Sequence, residues 1–108
     1  MTSKFIRLIN RNGVNETSQK FDLGQLKMTP KIEILMEDST TKSIIEKCLR
    51  RHHSGDWGDV DQEDKNTTDS ALKSGNRLFS AYKVGLNKIW IITEWDRNVT
   101  TILDPSEY

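Results

Sequence analysis

The stretch Lys88-Ile89-Trp90-Ile91-Ile92-Thr93-Glu94 lies between two turn signals, Gly85-Leu86-Asn87 before it and Asp96-Arg97-Asn98 after it. A run of β-branched and aromatic side chains bounded in this way reads as the central strand of a sheet. Outward from it, Arg77 to Val84 supplies a strand on one side and Val99 to Asp104 a strand on the other, with Pro105 ending the last. Short turns join antiparallel neighbours, so residues 77–104 are predicted to form a three-stranded meander.

Upstream of the meander the period changes from two to that of a helix. Asp61 is placed to cap a helix that has Glu63 and Asp64 in its first turn, carries Ala71 and Leu72, and stops at Gly75. Before it, Ser39 begins a longer helix whose apolar stripe is Ile44, Ile45, Cys48 and Leu49, with His52 and His53 in its last turn and Gly55 just beyond. Thr29-Pro30 reads as the start of a shorter helix, with the threonine as cap and Ile32, Leu35 and Met36 following at helical spacing. Asp56-Trp57-Gly58-Asp59-Val60 reads as a tight loop between helices. Leu23 to Met28 is a short strand candidate, and Phe5-Ile6-Arg7-Leu8-Ile9 a second, with Asn12-Gly13 marking a turn. The fold class that follows is α+β: N-terminal strand or strands, two to three helices, then the C-terminal antiparallel meander, with the helices on one face of an antiparallel sheet. At 108 residues the chain is read as one domain, 1–108, with 1–22 as a peripheral strand and loop.

Composition bounds the functional classes. Only 34% of the residues are apolar, which predicts a thin two-layer fold with solvated loops. The formal net charge is zero, so no global field draws in nucleic acid. The charge is uneven along the chain: residues 1–55 hold ten basic and six acidic side chains, residues 56–108 six and ten. The lone Cys48 rules out an internal disulfide and is read as a packed core thiol in a reducing compartment. There is no signal-peptide pattern and no apolar run long enough to span a bilayer, so a cytoplasmic protein with no membrane association is expected, and its sequons at Asn15, Asn66 and Asn98 are chance matches. The acidic stretch matches no EF-hand loop and the chain lacks the paired cysteines of a zinc site, so neither metal nor cofactor is predicted.

Several side chains could carry chemistry. His52 and His53 are proton carriers near neutral pH, or else charges placed at a helix C-terminus. Arg77, Ser80 and Tyr82 are read as sharing one face of the first meander strand, where they offer a cation, a hydroxyl and a phenol to an anion. Arg97, in the second turn, has a fork suited to phosphate or carboxylate, with Thr100 or Thr101 as a nearby hydroxyl donor; equally, it could pair with Asp96 or Glu94. Trp57, Trp90 and Trp95 are core or rim anchors, with Trp95, beside a turn, expected to be exposed.

A string of blocks carries a resemblance. The blocks are Leu23-Gly24, Thr29-Pro30, Arg51-His52 with Gly55-Asp56-Trp57-Gly58-Asp59, Asp64, Asn66, Ala71-Leu72 and Gly75. They continue with Arg77-Leu78, Ser80-Ala81-Tyr82, Ile89 to Glu94, Asp96-Arg97, Thr100 to Leu103, and Pro105 with Glu107-Tyr108. Over about residues 23–108 the chain resembles a family of small proteins from plasmids, phages and other mobile elements, labelled plasmid-related or loosely as restriction-modification components. The resemblance implies a genetic setting and no activity. Trp95 and Asp104 depart from it, where a small and an apolar residue are expected, and are read as marking a partner surface particular to this chain. In layout alone the chain is also similar to the small ribonuclease folds grouped around barnase, colicin nucleases and RNA-cutting bacterial toxins.

Two functional classes follow. In the first, the protein is a mobile-element accessory factor that binds a host defence protein or nucleoprotein complex, most concretely as an anti-CRISPR or antirestriction inhibitor. Asp56, Asp59, Asp61, Glu63 and Asp64 would imitate nucleic-acid phosphates, and Trp57 and Trp95 would anchor the contact; a second copy of the chain is a further candidate partner. In the second, it is a metal-independent ribonuclease acting on RNA. There His52 or His53 would move the proton, and Arg77 and Arg97 would stabilise phosphate charge with help from Tyr82 and Thr100.

Overall fold

The computed structural model describes residues 19–108. The strand expected at residues 5–9 and the turn at Asn12-Gly13 lie outside them. The described elements are β1 (Gln25–Met28), α1 (Pro30–Leu35), α2 (Ser39–His53), α3 (Gln62–Ser74), β2 (Leu78–Val84), β3 (Asn87–Thr93) and β4 (Val99–Leu103), followed by a 3-10 turn at Pro105–Glu107.

Local chemistry sets the helix ends. Asp38 caps α2 by accepting from the Thr41 amide at 2.9 Å, and Asp61 caps α3 by accepting from the Asp64 amide at 2.8 Å. Gly75 closes α3 in the left-handed conformation, with its amide donating to Ala71 O. Thr29 stands at the N-cap of α1 but makes no side-chain cap bond; its hydroxyl donates instead to the Glu107 carboxylate, 78 residues away, and so pins the chain end to the start of α1.

The meander forms as expected: β2 pairs antiparallel with β3, and β3 with β4. The sheet as a whole is mixed rather than antiparallel, with order β1-β4-β3-β2, because β1 adds to the free edge of β4 in parallel. All three helices intervene between β1 and the meander, the length of crossover a parallel pair requires. The join is tight at Gly24. Its φ is +68°, Gln25 N donates to Asn98 O at 2.8 Å, and a Cβ there would lie 2.3 Å from the Asn98 carbonyl. Only glycine allows that approach.

Register divides the sheet into two faces. Leu78, Ser80, Tyr82 and Val84 share one face with Ile89, Ile91 and Thr93 of β3 and with Thr100 and Ile102 of β4. The core lies on this face: Ile32 of α1 and Ile45, Cys48 and Leu49 of α2 pack with Tyr82, Val84, Ile89, Ile91 and Ile102. A smaller cluster of Trp57, Ala71 and Leu78 lies under α3. Every described helix therefore covers the same face. The opposite face carries Phe79, Ala81, Lys83, Lys88, Trp90, Ile92, Thr101 and Leu103.

The outer edge of β2 is not bare. Ala81 N donates to Trp57 O at 3.1 Å, and Asp59 N donates to Ala81 O at 2.7 Å, so the expected tight loop runs beside β2 and is joined to it by an isolated parallel bridge at Gly58. This shields an edge that would otherwise invite pairing with another chain. Gly58 makes it possible, since a Cβ there would stand 2.1 Å from the Ala81 oxygen.

Candidate functional site

The densest polar cluster lies in the core, where the C-terminus of α2 meets the sheet. His52 is wholly buried, and both ring nitrogens are occupied: Nδ1 is 2.6 Å from Ser80 Oγ, and Nε2 is 2.9 Å from Thr93 Oγ1. Thr93 Oγ1 lies 2.7 Å from Thr100 Oγ1, which donates to Leu23 O at 2.6 Å. A carbonyl can only accept, so the direction of the whole chain is fixed. Thr100 gives its proton to Leu23 O, Thr93 gives its own to Thr100, and His52 must donate from Nε2 to Thr93. Because burial keeps the ring neutral, Nδ1 is then the acceptor, and the Ser80 hydroxyl, 2.6 Å from it and 3.5 Å from Ile91 O, donates to it. The result is one neutral tautomer and a hydrogen-bonded chain that ties β2, α2, β3, β4 and the segment before β1 together. Burial, then the nearby His53 and the positive charge of Arg97, pull the His52 imidazolium pKa down to about 3.

This neutral, sealed ring is not the charged imidazole expected at a helix end. His53 is also buried; its Nε2 donates to Phe21 O at 2.8 Å, its Nδ1 has no hydrogen-bond partner, and burial lowers its pKa as well. The charges that complement the C-terminus of α2 are Arg50 and Arg51. Arg51 forms an ion pair with Asp56 at 2.7 Å and lies over the Tyr82 ring at 4.8 Å.

Arg97 is bound up in the backbone. It has φ 60°, a left-handed conformation uncommon outside glycine, and it closes the β3–β4 turn with its amide donating to Glu94 O. Its Nη1 donates to Asn76 O at 2.7 Å and Glu94 O at 3.0 Å, and its Nη2 donates to Ala71 O at 3.1 Å. The guanidinium therefore sits on the carbonyl end of α3, where a helix favours a cation. It is not paired with Asp96, whose carboxylate accepts from Asn98.

The remaining residues of the ribonuclease reading do not join a common site. Ser80 and Tyr82 alternate with Leu78 on the helix-covered face, whereas Arg77 belongs to the opposite one, so the three do not share a face. Tyr82 is buried; its hydroxyl donates to Asp56 O at 2.6 Å, and burial pushes its pKa up. Thr100 is fully buried. Arg77 donates to the Tyr108 hydroxyl at 2.8 Å and pairs with Glu94 at 3.4 Å.

Of the partner-binding candidates, Trp57 is a core residue, the first of the two places the sequence reading allowed it, and is not on the surface as a partner anchor would be. It is 3% exposed, its ring lies 5.5 Å from that of His52, and its Nε1 donates to Asp69 at 2.7 Å. Trp95 is 68% exposed. Asp56, Asp59, Asp61, Glu63 and Asp64 are all exposed, with Asp56 held by Arg51 and Asp61 used as a cap. Asp104, read from the sequence as marking a partner surface, caps the 3-10 turn by accepting from Ser106 N at 2.9 Å. Among the described residues no group of three or more His, Cys, Asp or Glu is gathered as a metal site would need.

Sequence reading did not single out the open sheet face. There Phe79 and Trp90 meet edge to face at 5.1 Å between ring centroids, and Trp90 and Tyr108 at 5.5 Å. Strand register is the signal that could have found it, because it puts Phe79, Trp90, Lys83 and Lys88 on one side. No described helix is long and apolar enough to cross a membrane. Comparison with known proteins finds no family model that matches the chain, and no matching curated protein or solved structure.

Proposed function

We propose that the protein works by stoichiometric binding and not by catalysis: a cytoplasmic accessory factor of a mobile element that occupies a basic surface of a host defence protein. An anti-CRISPR or antirestriction inhibitor is the concrete form of this reading. The observation that carries it is the state of His52, which is sealed in the core with both nitrogens bonded. A general acid or base must reach the proton it moves, and this ring reaches only the protein's own hydroxyls. Arg97, Thr100 and Tyr82 are similarly committed to backbone carbonyls.

What the fold leaves outside supports binding. Asp59, Glu63 and Asp64 project at the N-terminal end of α3, and Trp95 lies in the turn that Arg97 fastens to the other end. Ten residues of helix from Asp61 to Ala71 separate the two, about 15 Å at 1.5 Å per residue. That span fits within a single standard interface.

The test is titration of the purified protein into the cleavage reaction of a host defence nuclease, with RNA cleavage in EDTA run in parallel. Inhibition that is complete near one equivalent, and lost when Asp59→Asn, Glu63→Gln and Asp64→Asn are combined, is the expected result; Asp61 is kept so that the helix cap survives. EDTA-resistant RNA cutting that Arg77→Ala abolishes would restore the ribonuclease and end the binding reading.

A further inference from the structure

The open face of the sheet combines two features that need an explanation beyond folding. The first is electrostatic. Lys83 and Lys88 stand directly opposite each other across β2 and β3, both exposed and both on the open face. Like charges in that position repel. Neither is in an ion pair among the described residues, where the two side-chain pairs are Arg51–Asp56 and Arg77–Glu94. Lys27, aligned with Thr101 at the β1 edge of the same face, is exposed and among the described residues has no carboxylate partner either. Glu94, at the end of β3, is taken by Arg77.

The second feature is aromatic. Trp90 is half-buried in the middle of the face, flanked edge to face by Phe79 and Tyr108 at 80° and 69°. The three rings brace one another on the same face as Ala81, Ile92 and Leu103, which are 4–5% exposed. Tyr108 is itself 71% exposed. An apolar partner surface would match the rings but leave three lysines desolvated without counter-charge. A duplex would match the lysines but keep its bases stacked away from the rings. A single strand satisfies both, with phosphates on the lysines and bases on the aromatic row.

We propose that this face binds single-stranded nucleic acid, with Lys27, Lys83 and Lys88 contacting phosphates and Trp90 and Tyr108 receiving bases. The neutral net charge of the chain does not oppose this. Five of its sixteen acids, Asp56, Asp59, Asp61, Glu63 and Asp64, stand at or just before the start of α3, and among the described residues of the open face Lys27, Lys83 and Lys88 are exposed cations. The inference is independent of the host-protein reading, which uses Asp59, Glu63, Asp64 and Trp95.

The test is fluorescence anisotropy of a labelled 12-nucleotide oligothymidylate with the full chain, from 50 to 200 mM salt. Binding should weaken with salt and exceed binding of a 12-base-pair duplex at least about tenfold. Combining Lys83→Ala with Lys88→Ala removes two phosphate contacts and should lower the slope of log affinity against log salt by about 1.4. Trp90→Leu keeps an apolar side chain over Leu103 but loses stacking, and should weaken binding by roughly 5-fold to 100-fold. The combined Asp59, Glu63 and Asp64 variant should leave this binding intact, which separates the two readings. No binding at 50 mM salt, equal affinity for the duplex, an unchanged slope in the double lysine variant, or preference for phosphatidylserine vesicles over the oligonucleotide would each overturn the proposal.

Discussion

On the helix-covered face of the sheet, Ser80, Thr93 and Thr100 commit their protons to His52, to one another and to the Leu23 carbonyl. On the open face, Lys83 and Lys88 point the same way from opposed positions with no carboxylate between them. The first group holds the residue types that suggest an active site, and the second those that suggest ordinary surface. Their environments reverse the assignment. A buried polar group must be bonded, and a closed chain of such bonds makes a core specific at the expense of reactivity. Exposed like charges face no such requirement, so leaving them unpaired keeps them available. The reactive-looking residues serve as structure here, and those left exposed are Lys27, Lys83, Lys88, Trp95, Tyr108 and the acids Asp59, Glu63 and Asp64.

The sharpest way to break this contrast is at His52. His52→Ala would open a cavity and leave Ser80 and Thr93 buried without a partner, at a combined cost of about 3–5 kcal/mol. That is a large part of the stability of a small domain, and chemical denaturation should show it as a lowered midpoint. A loss below about 1 kcal/mol would mean the chain is not a structural tie.

The same ring makes stability depend on pH, and the sign is fixed. In the unfolded chain a histidine protonates near 6.5, whereas folded His52 does so only near 3. Between those values the unfolded state binds the extra proton, so stability falls as pH falls below about 6.5, at up to about 1.4 kcal/mol per pH unit. The depressed pKa of His53 acts in the same direction. Melting temperatures at pH 7 and pH 4.5 measure it, and His52→Gln should flatten the dependence.

Arg97 tests the contrast at the sheet end. Arg97→Ala removes three charge-assisted bonds to carbonyls and should cost about 2 kcal/mol. Arg97→Gly removes the same bonds but relaxes the left-handed backbone, and should be less destabilising by about 1 kcal/mol. If the two substitutions are equal in denaturation midpoint, strain at this turn is negligible. The smallest effect is expected on the open face: Lys83→Ala with Lys88→Ala should leave stability unchanged or raise it by a few tenths of a kcal/mol, because a repulsion is removed. A clear loss of stability would tie these lysines to the fold.

Much of the architecture was legible because it rests on local chemistry. Asp61, Gly75 and Gly55 marked helix ends, and Gly85-Leu86-Asn87 and Asp96-Arg97-Asn98 marked the meander turns, through preferences that act over a few residues. What stayed hidden depends on distant partners. The parallel pairing of β1 with β4 needs Gly24 against Asn98, 74 positions apart, and no local pattern encodes it. The bridge of Gly58 to β2 and the burial of Trp57 need Ala81 and Asp69. For the site, the residue types were visible and their convergence was not. His52, Thr93 and Thr100 do meet, yet in a sealed place, while Arg77 lies across the sheet from Ser80 and Tyr82.

The most direct test of the central claim is an NMR titration of the imidazole nitrogens in protein labelled with nitrogen-15. His52 should show a neutral ring protonated at Nε2 throughout the range from pH 7 to pH 4.5, with no titration step before the protein unfolds. A midpoint near 6.5 would show a ring open to solvent and available for proton transfer, and protonation at Nδ1 alone would show that the hydrogen-bonded chain does not run from His52 to Leu23; either would contradict the account.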